Sequence, residues 1–200
     1  MKNKNWIGNK KSIFSTLGAS SHSEGERQKH DYYATDPIAI DLLFKEEIFS
    51  LNIWEPACGE GHLSKRMLDL GSYTGMCVYS SDLIDRGFGD VKDFLSIDNV
   101  EWNGDIITNP PYKYAQDFIE KSIQIIPEGN KIAMFLKIQF LEGKKRKHLF
   151  KKYPPKTIYI SSSRIECGMN GIFKGSSAVG YAWYIWEKGY QGDTMIKWIN

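Results

Sequence analysis

Apolar residues recur along this chain with two alternating periods. After Asp36-Pro37, Ile40, Leu43, Phe44 and Ile48 follow helical spacing, with Asp36 suited to the N-cap and Pro37 to the first helical position. Leu51–Trp54 is too short for a helix and reads as a strand. His62–Leu70 predicts a helix stopped by Gly71. Gly75–Ser81 predicts a second strand through Met76, Cys77, Val78 and Tyr79. Phe88–Glu101 is irregular apart from one short apolar element. Asp105–Thr108 then reads as a buried strand, and Tyr114–Ile126 as a helix with Phe118, Ile119, Ile123 and Ile126 on one face. Lys131–Ile138 predicts a strand and Glu142–Lys151 a basic helix; Thr157–Ser161 and Val179–Trp186 predict late strands. Trp183 and Trp186 suit core packing.

Alternating strands and helices predict an α/β fold: a mostly parallel, doubly wound sheet with helices on both faces. The last two strands have only the loop Ser162–Ser177 between them, which predicts a final antiparallel strand. No internal repeat or linker breaks the pattern, so residues 31–200 are expected to form a single domain. Residues 1–30 are polar and rich in Gly, Ser, Asn and Lys. They predict a flexible arm, with room for a short strand near Ser12–Leu17.

Composition narrows the chemistry. The chain has 200 residues, enough for one well-filled core. No apolar run nears the ~20 residues needed to span a membrane, and no apolar stretch follows Lys2 and Lys4 as a signal peptide would require. Cys58, Cys77 and Cys167 are far apart and His22, His30, His62 and His148 lack ligand spacing, so neither disulfides nor a metal site is expected. That pattern fits a reducing cytosol. The net charge is only +2, but its distribution is uneven. Lys131, Lys137, Lys144, Lys145, Arg146, Lys147, Lys151, Lys152 and Lys156 face the single acid Glu142 over that stretch. Two readings stay open: a surface that meets phosphates, or a solvated helix face.

Two segments carry the candidate chemistry. Asp105-Ile106-Ile107-Thr108 runs into Asn109-Pro110-Pro111-Tyr112. Two prolines fix two φ angles and remove two backbone donors, so this turn is rigid. It sets the Asn109 amide, the Pro110 carbonyl and the Tyr112 ring in a fixed relation. Two acceptors beside a flat ring can grip an exocyclic amine on a planar group. The other segment, Glu55-Pro56-Ala57-Cys58-Gly59-Glu60-Gly61, lies between the first sheet strand and its crossover helix, where doubly wound sheets bind ligands. Position 64 is Ser, so the third glycine of a dinucleotide fingerprint is missing, and no Gly-Lys-Ser/Thr follows as a P-loop requires. Asp82 ends the second strand, where an acid would hold ribose hydroxyls; Asp85 is a neighbouring alternative. Asp93-Phe94 pairs an acid with a ring, as an adenine pocket would. Tyr32-Tyr33-Ala34-Thr35 precedes the first helix and could contact a charged cofactor tail.

Taken in order, these segments resemble the gamma class of DNA adenine-N6 methyltransferases. Glu55-Pro56-Ala57-Cys58-Gly59-x-Gly61 is similar to their S-adenosylmethionine motif, and Asn109-Pro110-Pro111-Tyr112 to their catalytic motif. The span Asp31–Tyr190 resembles the small stand-alone members found in phage genomes. The resemblance implies a Rossmann-like methyltransferase domain, S-adenosylmethionine as cofactor and DNA as partner, with the target base flipped or single-stranded. It implies cofactor contacts from Tyr33, Thr35, Glu55, Pro56, Ala57, Cys58, Gly59, Gly61, Asp82, Asp93, Phe94 and Asn109. Asn109 and Pro110 would hold the target amine, Pro111 would stiffen the turn, and Tyr112 would stack on the base. The same turn also serves methyltransferases acting on cytosine N4, RNA adenine and protein glutamine amides, so these acceptors stay open, as does a non-catalytic methyltransferase-like module that binds nucleic acid. Larger members carry a separate target-recognition domain, for which this sequence has no room after Tyr112. The expected nucleic-acid contacts are therefore Lys144, Lys145, Arg146 and Lys147, with Arg164 and Lys174 in the late loop.

Overall fold

In the computed structural model the central strands are apolar on both faces, because helices cover both. The structure describes residues 33–144, 146–169, 173 and 179–200; the predicted N-terminal arm and its short strand lie outside them. The elements are β1 (Tyr33–Thr35), α1 (Ile38–Glu46), β2 (Asn52–Glu55), α2 (His62–Gly71), β3 (Cys77–Asp82), β4 (Asp90–Val91) and β5 (Asp105–Thr108). There follow α3 (Ala115–Ile125), β6 (Lys131–Lys137), α4 (Arg146–Lys152), β7 (Thr157–Ser161), β8 (Cys167–Met169), β9 (Tyr181–Glu187) and β10 (Met195–Ile199). The expected cap is shifted by one residue: α1 has Pro37 at its N-cap, and Asp36 Oδ1 accepts from the Ile38 N–H at 3.0 Å just before it.

Eight strands form one sheet in the order β10-β7-β9-β6-β5-β2-β3-β4. β9 lies antiparallel to both neighbours, and every other pair is parallel. The α/β expectation holds, with one refinement. The antiparallel strand is inserted within the sheet, and a further strand, β10, follows it and pairs with β7. Alternation explains why β6 and β9 read as continuous apolar runs. Ile132, Met134 and Leu136 join the core under α3 and α4, with Ala182, Tyr184 and Trp186. Ala133 and Phe135 join the core under α1 and α2, with Tyr181, Trp183 and Ile185. Both tryptophans are buried as expected, and their ring N–H groups donate to Ala39 O at 2.9 Å and Tyr153 O at 3.0 Å.

α4 begins later than the expected Glu142. Ile138–Leu141 forms a 3-10 turn, and Gly143 at φ 112° breaks the path before Arg146. A separate two-stranded sheet pairs β1 with β8, Tyr33 opposite Met169 and Thr35 opposite Cys167. From β2 the chain steps outward to β3 and β4, then returns to β5 on the other side of β2. The loops after β2 and β5 therefore part at a switch point, leaving a crevice at their carboxyl ends.

Candidate active site

The loop after β2 forms one wall of that crevice. Glu55 is the last residue of β2 and only 2% exposed. Its Oε2 accepts from the Ser64 hydroxyl on α2, and Ser64 also bonds Ser80 on β3 at 2.6 Å. Burial pushes the Glu55 carboxyl up to about 8; Ser64 pulls against this and the charge of Asp82 adds to it. Burial thus favours the neutral acid, and a positive charge placed beside it would favour the ionised form. The Cys58 N–H donates to Ser81 O at 3.0 Å, and the Gly59 N–H to Asp82 Oδ2 at 2.8 Å. Asp82 Oδ1 accepts from the Ile84 N–H at 2.9 Å. Each oxygen keeps further lone pairs for a ligand. Burial pushes the Cys58 thiol up to about 12, with Glu55 and Asp82 adding, so it is no nucleophile. Gly61 adopts φ +79°, and a Cβ there would meet the Phe88 ring at 2.3 Å. Only glycine lets the loop close against Phe88.

The turn after β5 forms the other wall. The Asn109 Nδ2 donates to Thr35 Oγ1 at 2.8 Å and lies 3.4 Å from Tyr33 O and 3.9 Å from Cys167 Sγ. A carbonyl can only accept, so Tyr33 O selects the NH₂ end of the amide. Asn109 Oδ1 is left buried with no hydrogen-bond donor from the protein. An unpaired buried acceptor costs about 1–3 kcal/mol, and such a group is most readily explained by a ligand that completes it.

Tyr112 opens a 3-10 turn and is half-buried. Its ring is flanked by Tyr33 and Tyr181, with centroids at 6.4 and 6.1 Å. The Lys137 Nζ sits 4.6 Å from its ring centre. Its hydroxyl donates to Cys167 Sγ at 3.8 Å. Burial holds the Tyr112 phenol well above its usual range, with Cys167 and Tyr181 adding. Burial also pushes the Cys167 thiol up to about 11, opposed by Tyr112, Thr35, Tyr181 and Lys137. The cluster is neutral hydroxyl, thiol and ring with one cation beside it.

The sequence matches no family model and no curated protein sequence closely enough to count. Solved structures do match. A proposed class I S-adenosylmethionine-dependent methyltransferase from Listeria monocytogenes superposes with a TM-score of 0.59 at 16% identity, covering 94% of this chain and 71% of its own. The chain has the Rossmann-like methyltransferase fold. A type I restriction-modification methyltransferase subunit from Streptococcus thermophilus gives 0.56 at 15% identity, with 80% of this chain matching 45% of that one. This chain therefore spans less than half of that subunit. A proposed RNA methyltransferase from Pyrococcus horikoshii gives 0.55 at 15% identity over 91% of this chain and 99% of its own. Identities this low carry the fold alone.

This methyltransferase fold sorts the expected residues. It brings Glu55, Pro56, Ala57, Cys58, Gly59, Gly61, Asp82, Asn109, Pro110, Pro111 and Tyr112 to adjoining carboxyl ends of the sheet. Thr35 is there too, but its hydroxyl holds Asn109 where a cofactor contact was expected. Phe94 is only 2% exposed, its ring packed between Trp54 and Phe118. Phe94 is thus a core residue, and its faces are largely used by neighbouring rings. Asp93 is exposed beside it, its oxygens bonded by the Leu95 N–H at 3.1 Å and the Ser96 hydroxyl at 2.6 Å. Lys144 and Lys147 are exposed, as a phosphate-meeting surface needs. Arg146 instead donates to Gln139 O and Glu142 O, both at 2.9 Å, and stacks on Phe140. Arg164 follows β7 with other partners of its own. Lys145 and Lys174 lie outside the described residues. The site roles of Ser64, Ser80, Cys167 and Tyr181 were not legible in the sequence, and Lys137 was read only as part of the basic stretch. None belongs to a motif, and they come from separate elements: α2, β3, β6, β8 and β9. Among the described residues no cluster of His, Cys, Asp or Glu is arranged to hold a metal, and no helix is long and apolar enough to cross a membrane.

Proposed function

We propose that this chain transfers a methyl group from S-adenosylmethionine to the exocyclic N6 amine of adenine in DNA. One observation carries the reading: the buried, unpartnered Asn109 Oδ1, fixed in orientation by β1, at the carboxyl end of β5. An adenine N6 lone pair is delocalised into its ring and is a weak nucleophile. Asn109 Oδ1 would accept one N6 hydrogen and the Pro110 carbonyl the other. Both acceptors favour a pyramidal nitrogen and stabilise the positive charge that develops on it. Tyr112 would replace stacking lost when the base leaves its helix, worth ~1–3 kcal/mol by analogy with base–aromatic contacts.

The β2 side fits the cofactor. Its buried acid suits a ligand bearing positive charge, and its loop backbone is free of side-chain bulk at Gly59 and Gly61. When bound, S-adenosylmethionine would supply a methyl on positively charged sulfur. Glu55 and the loop would hold the methionine and ribose portion, Asp82 the ribose hydroxyls and Asp93 the adenine amine. The solved methyltransferases of like fold support this reading, as does the resemblance to the phage-type gamma class. The exposed Lys144 and Lys147 favour a nucleic acid over a protein amide. A second acceptor class, RNA, is favoured by the fold shared with the proposed RNA methyltransferase from Pyrococcus horikoshii over 91% of this chain.

The test is transfer of labelled methyl to single- and double-stranded DNA and to RNA, followed by nucleoside digestion and mass spectrometry. N6-methyldeoxyadenosine is expected. Asn109→Ala should lower kcat by about 10²-fold or more, with cofactor affinity retained. No transfer to any DNA would sink the proposal.

A further inference from the structure

Lys137 is the last residue of β6, one strand beyond the Asn109 turn. Among the described residues no carboxylate lies within ion-pair distance of it. Its ammonium rests on the Tyr112 ring, 4.6 Å from the centre. That is the ring on which the target base is proposed to stack. The other two rings against Tyr112 are anchored by strands, Tyr33 by β1 and Tyr181 by β9. Lys137 touches Tyr112 through the end of a long, flexible side chain.

A base cannot lie on that face of Tyr112 while the ammonium occupies it. The chemistry adds a second reason for the cation to leave. The attacking amine becomes positive in the transition state, and an uncompensated ammonium beside it would oppose that charge. A base from a polynucleotide brings its own answer, since a phosphate flanks it on either side. Phosphate contacts of this kind position a nucleotide without reading its sequence.

We propose that Lys137 is a specificity-determining residue, which leaves Tyr112 as the base enters and pairs with a phosphate flanking the target nucleotide. Lys137 would thereby favour adenines carried on a polynucleotide over free nucleosides and over amides on proteins. The proposal rests on the adenine reading above and adds to it a substrate class and a residue that selects it.

The experiment uses the full chain and an oligonucleotide in which labelled transfer has located the target adenine. Neutral methylphosphonate replaces the linkage on the 5′ or the 3′ side of that adenine. Wild-type protein should lose about tenfold or more in kcat/KM with one of the two substitutions. Lys137→Met should lose a similar factor on the native oligonucleotide, and little more when that same linkage is neutral. The salt dependence of oligonucleotide binding should flatten by about 0.7–0.9 in log–log slope, the share of one phosphate on a single strand or duplex. Lys137→Arg should recover most of the activity. Cofactor affinity, measured by calorimetry, should match wild type and shows that the variant is folded. If the two losses multiply at both linkages, or if Lys137→Met weakens cofactor binding as much as oligonucleotide binding, the role assigned to Lys137 is overturned. A wild-type chain that methylates no adenine overturns the parent reading as well, so the two failures are distinct.

Discussion

Glu55 shows how one buried carboxyl can couple pH to stability. Its carboxyl has an ordinary value of 4.5 and is raised to about 8 in the folded chain. Below pH 4.5 both folded and unfolded chains hold this proton, and burial carries no charge penalty. Between 4.5 and about 8 the unfolded chain releases the proton that the folded chain keeps. Stability therefore falls as pH rises through that window, at up to about 1.4 kcal/mol per pH unit. Chemical denaturation at pH 5 and pH 8 should show this loss in wild type, and Glu55→Gln should lack most of it. A cationic ligand reverses the preference by stabilising the ionised acid. Binding of S-adenosylmethionine should thus tighten as pH rises from 6 towards 8 and release a proton, and calorimetry in buffers of different ionisation enthalpy would detect it. Equal affinity at both pH values would show that Glu55 does not meet the cofactor's charge.

The β1–β8 pair orients the proposed catalytic turn from outside the main sheet. Thr35 Oγ1 lies 2.8 Å from Asn109 Nδ2. Thr35→Val should therefore lower kcat about tenfold, with cofactor affinity within twofold of wild type, and Thr35→Ser should restore it. A loss confined to cofactor affinity would return Thr35 to the role the resemblance suggests. This element also marks the limit of what the sequence made legible. Long elements were readable because their apolar positions keep one period: α3 through Phe118, Ile119 and Ile123, and β6 and β9 through runs apolar on both faces. β1 and β8 have three residues each, too few to display a period. β10 is an edge strand whose Met195, Ile196 and Trp198 stay exposed, so burial leaves no pattern in it. Asp93-Phe94 spelled an adenine pocket, yet the aromatic was claimed by the core, because Trp54 and Phe118 offered it apolar contact.

Across the molecule, site and anchor lie at opposite ends of the sheet. The carboxyl ends of β2, β3, β5 and β6 bear the residues proposed to form the active site. At the amino end of β5, Asp105 is 3% exposed and accepts from three donors on two segments: the Ser50 N–H at 2.6 Å, and the Lys131 N–H at 2.7 Å with its neighbour Asn130 Nδ2 at 2.9 Å. Asp105→Ala would strand those donors and should cost about 2–4 kcal/mol in denaturant unfolding. Cofactor affinity should be unchanged where the variant is folded. If affinity falls in step with stability, the two ends are not independent.

The insertion of β9 has a temporal consequence. Its neighbours β6 and β7 precede it in the chain, yet each is completed only when residues 181–187 slide between them. The clasp over Asn109 likewise joins Tyr33 to Met169. Contacts so distant in sequence close slowly and late. A ribosome must therefore synthesise residues 181–187 before the sheet beside Asn109 can close, and if the proposed role of Asn109 holds, a shorter nascent chain would stay chemically silent.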